Sequence, residues 1–367
     1  MKIQEVRLTP FKRKLAGNPE DVMVKDQSLE AVITQYVVVE IITDEGVKGE
    51  GITHGGDALA MKRYLENYVA PVLIGRDPRN REEIWQTMWR LDRLWFTQKF
   101  VLGAVDVALW DLYGKLKDAP IVELLGRYTD RMPVYASSMT KETVEEYVEE
   151  ALIYKDRGFR GYKLHTVGEL NIDRKICRAV REAVGDDWPL MVDSVSAFDY
   201  PDALKLGREL EELDYEWFEE PLRDYQIDRY RDLAEALDIP IAGTEVNEGS
   251  VFGVAPYITA RAVDIVRADT AFKQGITATK KIATLAEAHG MRCELHTNGN
   301  QLLDAYSLHV ACSIPNTRFF EQLVPEALFT FEGAPTVEME DGYALVPTGP
   351  GVGLPLDWEW VGANRLD

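Results

Sequence analysis

PLMVD (residues 189–193), YEWFE (215–219) and IPIAGTE (239–245) decide the fold. Each is a short apolar run that ends in one carboxylate, and helical stretches separate them. Runs of this length, bounded by turn signals, read as strands buried on both faces. The pattern repeats outward in both directions. Further strand candidates are Pro133–Ala136, Tyr162–His165, Val263–Arg267, Arg292–Leu295 and Arg318–Glu321. With Leu190–Asp193, Tyr215–Glu219 and Pro240–Thr244 they make eight. Between them lie amphipathic segments such as Lys141–Asp156, where Val144, Tyr147, Val148, Ala151 and Leu152 form one helical stripe. Eight strands with seven intervening helical segments argue for a (β/α)8 barrel, compact for a fold of about 250 residues.

In such a barrel the chemistry sits at the C-terminal ends of the strands. There the sequence places Lys163 and His165, then Asp193, Glu219, Glu245, Asp269, His296 and Glu321. Successive steps from His165 are 28, 26, 26, 24, 27 and 25 residues, one βα unit each. Ionisable groups are costly in an apolar strand layer unless paired or bound to a metal. Asp193, Glu219 and Glu245 end three consecutive strands, and three converging carboxylates repel each other unless a cation lies between them. An all-oxygen set with room for water and substrate oxygens suits Mg²⁺. Lys163 and His165 are two apart, so they share a face. If that face is the interior, the Lys163 charge lowers the His165 pKa and leaves the imidazole free as a base; otherwise Lys163 snorkels outward and His165 packs. Asp269 and His296 end adjacent strands, where a carboxylate on one ring nitrogen raises basicity at the other.

The remaining chain reads differently. Ile3–Leu8 and Tyr36–Ile42 are strand patterns, with a hairpin signal at Asp44-Glu45-Gly46. Residues 58–117 are helical, and Ala104–Leu116 is apolar on nearly all sides, as in a helix buried between layers. After residue 328 only strand and turn signals return, at Thr336–Glu340 and Tyr343–Val346, and these are expected to pack back on the N-terminal part. Among 367 residues, 41 Lys and Arg oppose 62 Asp and Glu, a net charge of −21. Such a surface repels phosphate backbones and anionic lipid, so neither nucleic acid nor membrane is an expected partner. Three widely spaced cysteines, Cys177, Cys293 and Cys312, suggest neither a disulfide framework nor a thiolate zinc site. With no secretory signal pattern at the N-terminus and no apolar run of about 18 residues, a cytoplasmic location is expected.

At these residues the chain resembles the enolase superfamily, and within it the mandelate racemase-like subgroup. The resemblance rests on Gly103–Lys117 (GAVDVALWDLYGKLK), Tyr162-Lys163-Leu164-His165, Met191-Val192-Asp193, Trp217-Phe218-Glu219-Glu220-Pro221 and Gly243-Thr244-Glu245, with Asp269, His296 and Glu321 completing the set. It implies an α/β protein: an N-terminal α+β capping domain (1–128), a modified (β/α)7β TIM barrel (129–327) and a C-terminal segment returning to the cap (328–367). It implies Asp193, Glu219 and Glu245 as Mg²⁺ ligands, Lys163 and His165 at the Lys-x-Lys position, and an Asp269–His296 dyad serving the opposite face of the substrate. Glu321 matches the acid that hydrogen-bonds a developing enolate. Three departures stand out: His165 replaces the usual second Lys, Val195 stands where Asn is usual, and Asp269–Gly275 (DTAFKQG) spaces its Lys and Gly differently, so Lys273 receives no role.

The expected function is a Mg²⁺-dependent dehydratase of an acid sugar, an aldonate or aldarate. It would remove the proton α to the carboxylate, form a metal-stabilised enediolate and eliminate the 3-hydroxyl to give a 2-keto-3-deoxy acid. The alternative is a racemase or epimerase of an α-hydroxy acid. A small-molecule carboxylate is the expected partner, and a homo-oligomer, dimer to octamer, the expected assembly. His54 in the second cap loop, Lys12 and Arg13 before the first (residues 15–30), and Asn298 after His296 are candidate substrate contacts. His54 has a structural alternative as a surface-loop residue, and Lys12 and Arg13 as solvated side chains. His289 reads as a helix-end cap and His309 as a core histidine.

Overall fold

The computed structural model describes residues 1–14, 34–95, 99–297 and 300–367. The N-terminal part is an antiparallel sheet in the order β1 (Ile3–Lys12), β2 (Gln35–Thr43), β3 (Lys48–Ile52). The continuous apolar run of β2 has a simple cause. Val37, Val39 and Ile41 face the cap helices, while Tyr36 and Val38 face the main core, so both faces are covered. The helix Lys99–Lys117 lies across β3. It approaches so closely that a Cβ on Gly49 or Gly51 would strike the main-chain oxygens of Ala108 and Ala104. The same helix reaches the barrel: Asp106 accepts hydrogen bonds from Thr277 N (2.9 Å) and Oγ1 (2.7 Å).

The barrel strands are β4 (Arg131–Ser137), β5 (Tyr162–His165), β6 (Leu190–Asp193), β7 (Trp217–Glu219), β8 (Ile241–Gly243), β9 (Ile265–Ala268), β10 (Arg292–Leu295) and β11 (Phe320–Leu323). Neighbours from β4 to β10 pair in parallel, and β11 pairs with β4. Helices follow β4 to β10, but β11 is followed only by the single turn Glu326–Leu328. The architecture is therefore (β/α)7β, one helix short of a (β/α)8 barrel. No ladder between β10 and β11 is seen among the described residues. Instead the Glu294 carboxylate bridges that seam, accepting from Arg318 N (3.1 Å), Phe319 N (3.2 Å) and Thr317 Oγ1 (3.0 Å). Tyr135, Met191, Trp217, Ala242, Ile265 and Phe319 fill the barrel floor. Above this plug the inward positions are ionisable.

The C-terminal hairpin, β12 (Met339–Glu340) and β13 (Tyr343–Leu345), does not return to the cap. It extends the barrel sheet, β13 running antiparallel to β4 at residues Arg131, Met132 and Pro133. The residues after the hairpin do reach the cap: Val352 N donates to Asp111 Oδ1 (2.9 Å), Trp358 Nε1 to Glu50 Oε1 (3.1 Å) and Leu366 N to Pro10 O (2.9 Å), and Trp360 sits edge-on to Phe11. All three cysteines are buried and unpaired. No helix among the described residues is long and apolar enough to cross a membrane.

Candidate active site

Strand register assembles the site. His165 lies opposite Asp193, and Asp193 opposite Glu219, so three polar side chains emerge on one rung of the barrel. Glu245 follows β8, its N–H held by Glu220 Oε1 (2.9 Å). One ligand oxygen from each of Asp193, Glu219 and Glu245 lies within 4.8 Å of the others. Two buried cations face this cluster. Lys163 Nζ contacts Asp193 (3.1 Å), Glu219 (3.2 Å) and Glu321 (2.8 Å). Both residues of the Lys163/His165 pair thus point inward. Arg267, fully buried, contacts Glu219 (2.6 Å), Glu245 (3.3 Å) and Glu321 (2.7 Å).

Four carboxylates against two fixed cations leave two negative charges, the balance of one divalent ion. The donors are all oxygen, as Mg²⁺ requires. Glu219 Oε1 is buried and accepts no hydrogen bond, although Arg267 Nε is close, so its lone pairs are available to a cation. The cluster fits a divalent metal. Burial, with the Asp193 and Glu245 charges, pushes the Glu219 carboxyl up to about 7 against the pull of Arg267 and Lys163. Burial also works to raise Asp193, but Lys163 and His165 overcome it and hold Asp193 well below the usual carboxylate range.

The two imidazoles flank the cluster. His165 places Nδ1 2.5 Å from Ser138 O and Nε2 3.3 Å from Asp193. Burial and Lys163 lower its pKa, but Asp193 wins and the net shift is upward. The expectation of a lowered pKa at His165 is therefore corrected: Lys163 acts as predicted, and the nearer carboxylate outweighs it. His296 donates from Nδ1 to Asp269 at 2.8 Å, with Nε2 3.4 Å from Glu245. Burial works to lower its pKa, but Glu245 and the Asp269 hydrogen bond push it up to about 9. Glu321 lies fully buried beneath both cations, which hold its carboxyl well below normal against the effect of burial.

His54 reaches this region through an aromatic stack. Its ring lies 4.9 Å from Phe272, which in turn stacks on His296 at 5.7 Å and 15°. Arg13 is held by main-chain carbonyls. It is buried, and its guanidinium donates to Thr330 O (2.9 Å) and Leu328 O, anchoring the turn after β11. Lys12 ends β1, where its N–H donates to Asn364 O (3.0 Å). Asn298 lies outside the described residues, as do residues 15–30 of the first cap loop. Asn300 is the N-cap of the helix Gln301–Ala311. His309 is a buried core histidine. Val195 takes the left-handed φ of +45° and donates its N–H to Asp193 Oδ1 (3.0 Å). That conformation suits Asn far better than a β-branched residue. Lys273 is buried and bonded to Asn247 O (2.7 Å) and Oδ1 (2.6 Å); burial brings its ammonium down to about 8.

Three contributors were not singled out from the sequence. Arg267 was detectable: it lies on β9 two residues before Asp269, which follows that strand, at the same spacing that links Lys163 to His165. Glu220 and Phe272 carried no such signal, because each acts from a turn rather than from a regular element.

The fold and this ring of strand-end residues define a member of the enolase superfamily. The chain matches the enolase C-terminal domain-like family over residues 146–360 and the mandelate racemase/muconate lactonizing enzyme N-terminal domain over residues 22–126. It belongs to that superfamily, in the mandelate racemase-like subgroup. Among its relatives, D-galactarolactone cycloisomerase of Agrobacterium fabrum is 30% identical, covering 98% of this chain and 99% of the relative. Arabinonate dehydratase of Saccharolobus solfataricus is also 30% identical, covering 88% of each. The crystal structure of D-glucarate dehydratase from Agrobacterium tumefaciens, complexed with magnesium, superposes with a TM-score of 0.89 at 32% identity over the whole of both chains. These relatives are named as dehydratases and a cycloisomerase.

Proposed function

We propose that this protein is a hydro-lyase that dehydrates an acid sugar, an aldonate or aldarate, to a 2-keto-3-deoxy acid. The observation that carries the reading is the pair of imidazoles on opposite sides of the carboxylate cluster, one oriented by Asp269 at 2.8 Å. Asp193, Glu219 and Glu245 would hold Mg²⁺, whose Lewis acidity stabilises the negative charge that forms when a proton α to a carboxylate is lost. One imidazole accepts that proton, and the other donates a proton to the departing 3-hydroxyl. The resulting enol then tautomerises to the 2-keto acid. Lys163 remains protonated, its Nζ bridging Asp193, Glu219 and Glu321, and gives the floor of the site a fixed positive charge. The dehydratase names among the relatives support the substrate class. The test is incubation with a panel of aldonates and aldarates in Mg²⁺, following 2-keto acid formation. Absence of 2-keto acid across the panel overturns the proposal.

A second reading has its own observation. His165 Nε2 and His296 Nε2 stand 3.3 and 3.4 Å from metal-ligand candidates, a near-symmetric placement that also suits racemisation of an α-hydroxy acid. Solvent deuterium incorporated at Cα without loss of hydroxide identifies that reaction.

A further inference from the structure

We propose that Arg267 is the positioning residue of the metal centre, acting as a resident counter-charge and a spacer for its ligands. The inference rests on the metal reading above. Arg267 is inaccessible to solvent, so it cannot be a surface ion pair that happens to lie nearby. Its guanidinium meets carboxylates from three different strand ends: Glu219 at the end of β7, Glu245 after β8 and Glu321 on β11. A fork of five donors in a fixed plane sets distances between acceptors, which a flexible point charge does not. Nη2 is shared between Glu245 and Glu321, while Nε faces Glu219 Oε1 without hydrogen-bond alignment. Arg267 thus holds Glu219 and Glu245 against one guanidinium. Glu294 O accepts weakly from Nη1 (3.4 Å), and Tyr135 Oη lies at 3.5 Å, tying the same guanidinium to β10 and the barrel floor.

Two consequences separate this role from ordinary packing. Without Arg267, Lys163 is the one fixed cation left for the buried Asp193, Glu219 and Glu321, so the metal-free protein loses stability while the metal-bound form is spared. With Lys in its place, the charge remains but the fork is lost, so ligand spacing loosens. The experiment compares wild type, Arg267→Lys and Arg267→Met by thermal unfolding in EDTA and in saturating MgCl₂, with Mg²⁺ affinity from calorimetry. Arg267→Met should lower the midpoint in EDTA by several degrees and show a larger Mg²⁺-induced rise than wild type. Arg267→Lys should recover most of the EDTA midpoint yet bind Mg²⁺ about tenfold or more weakly. Unchanged Mg²⁺ affinity in Arg267→Lys overturns the spacing role. An Arg267→Met protein that unfolds in EDTA as wild type does, or gains no more from Mg²⁺, overturns the counter-charge role. If Arg267→Met does not fold, the Arg267→Lys affinity decides alone. Wild type that binds no Mg²⁺ refutes the metal reading itself, a result distinct from both.

Discussion

His309 makes acid stability calculable. The ring sits in the helix Gln301–Ala311 with no solvent access. Its Nδ1 accepts the N–H of Val122 (3.2 Å), and its Nε2 donates to Val352 O (3.0 Å). The imidazole therefore joins a barrel helix to the helix Ile121–Leu125 and to the C-terminal segment. Protonating Nδ1 would set one N–H against another and bury a charge. Burial accordingly lowers the pKa to about 4 from an ordinary 6.5, despite the Val352 carbonyl. A depressed folded-state pKa gives stability that is complete above 6.5 and is lost as pH falls toward 4. At about 1.4 kcal/mol per pH unit, the full gap corresponds to about 3 kcal/mol, most of which is lost by pH 4.5. Paired carboxylates also titrate in this range, so the informative quantity is a difference. Urea unfolding of wild type and His309→Gln, without Mg²⁺, should be compared at pH 7.5, 6.5, 5.5 and 4.5. His309→Gln is expected to be less stable at pH 7.5 and to lose about 2 to 3 kcal/mol less on acidification to pH 4.5. Parallel pH profiles would show that His309 is not held neutral by this packing, and the reasoning would fail.

Other perturbations test the site and its support. Asp269→Asn removes the charge that orients and raises His296, so kcat should fall by about 10²–10⁴ with KM little changed, measured by steady-state kinetics on any turned-over acid sugar. Glu219→Gln should abolish Mg²⁺ binding by calorimetry while leaving the circular dichroism of the fold unchanged; retained affinity would remove Glu219 from the ligand set. Gly275→Ala places a Cβ against the Asp106 carboxylate at a φ of +97°, so it should destabilise by about 2 kcal/mol or more, read as a lowered thermal midpoint.

The barrel was legible because strand ends carry their own punctuation. Leu190–Asp193, Tyr162–His165 and Arg292–Leu295 fall where the apolar runs placed them. Strand ends elsewhere moved by a residue or two, as at Trp217–Glu219, because local apolarity continues beyond the ladder. The cap sheet was legible from the β2 run for the same reason. The C-terminal hairpin was not: an edge strand has no composition that names its partner, and β13 found the open start of β4. The main-chain partners of Arg13 were not legible, because a cation near a predicted loop looks the same whether it meets substrate or main-chain carbonyls.

By itself the sequence determined the ladder of ionisable residues and the face each one occupies, since the two-residue period of a strand and the βα repeat are local properties. It thereby nominated Asp193, Glu219 and Glu245 as a set, and Asp269 with His296 as a pair. Which charges dominate which was decided only by the tertiary structure. Closure of the barrel brought Arg267 of β9 against Glu219 and Glu321, and the register of β5 with β6 set Asp193 close enough to His165 to reverse the effect of Lys163. It also set Phe272 between His54 and His296. Coulomb energy depends on separation and burial, and residues 54 to 132 positions apart in the chain come within hydrogen-bonding distance only in the folded ring.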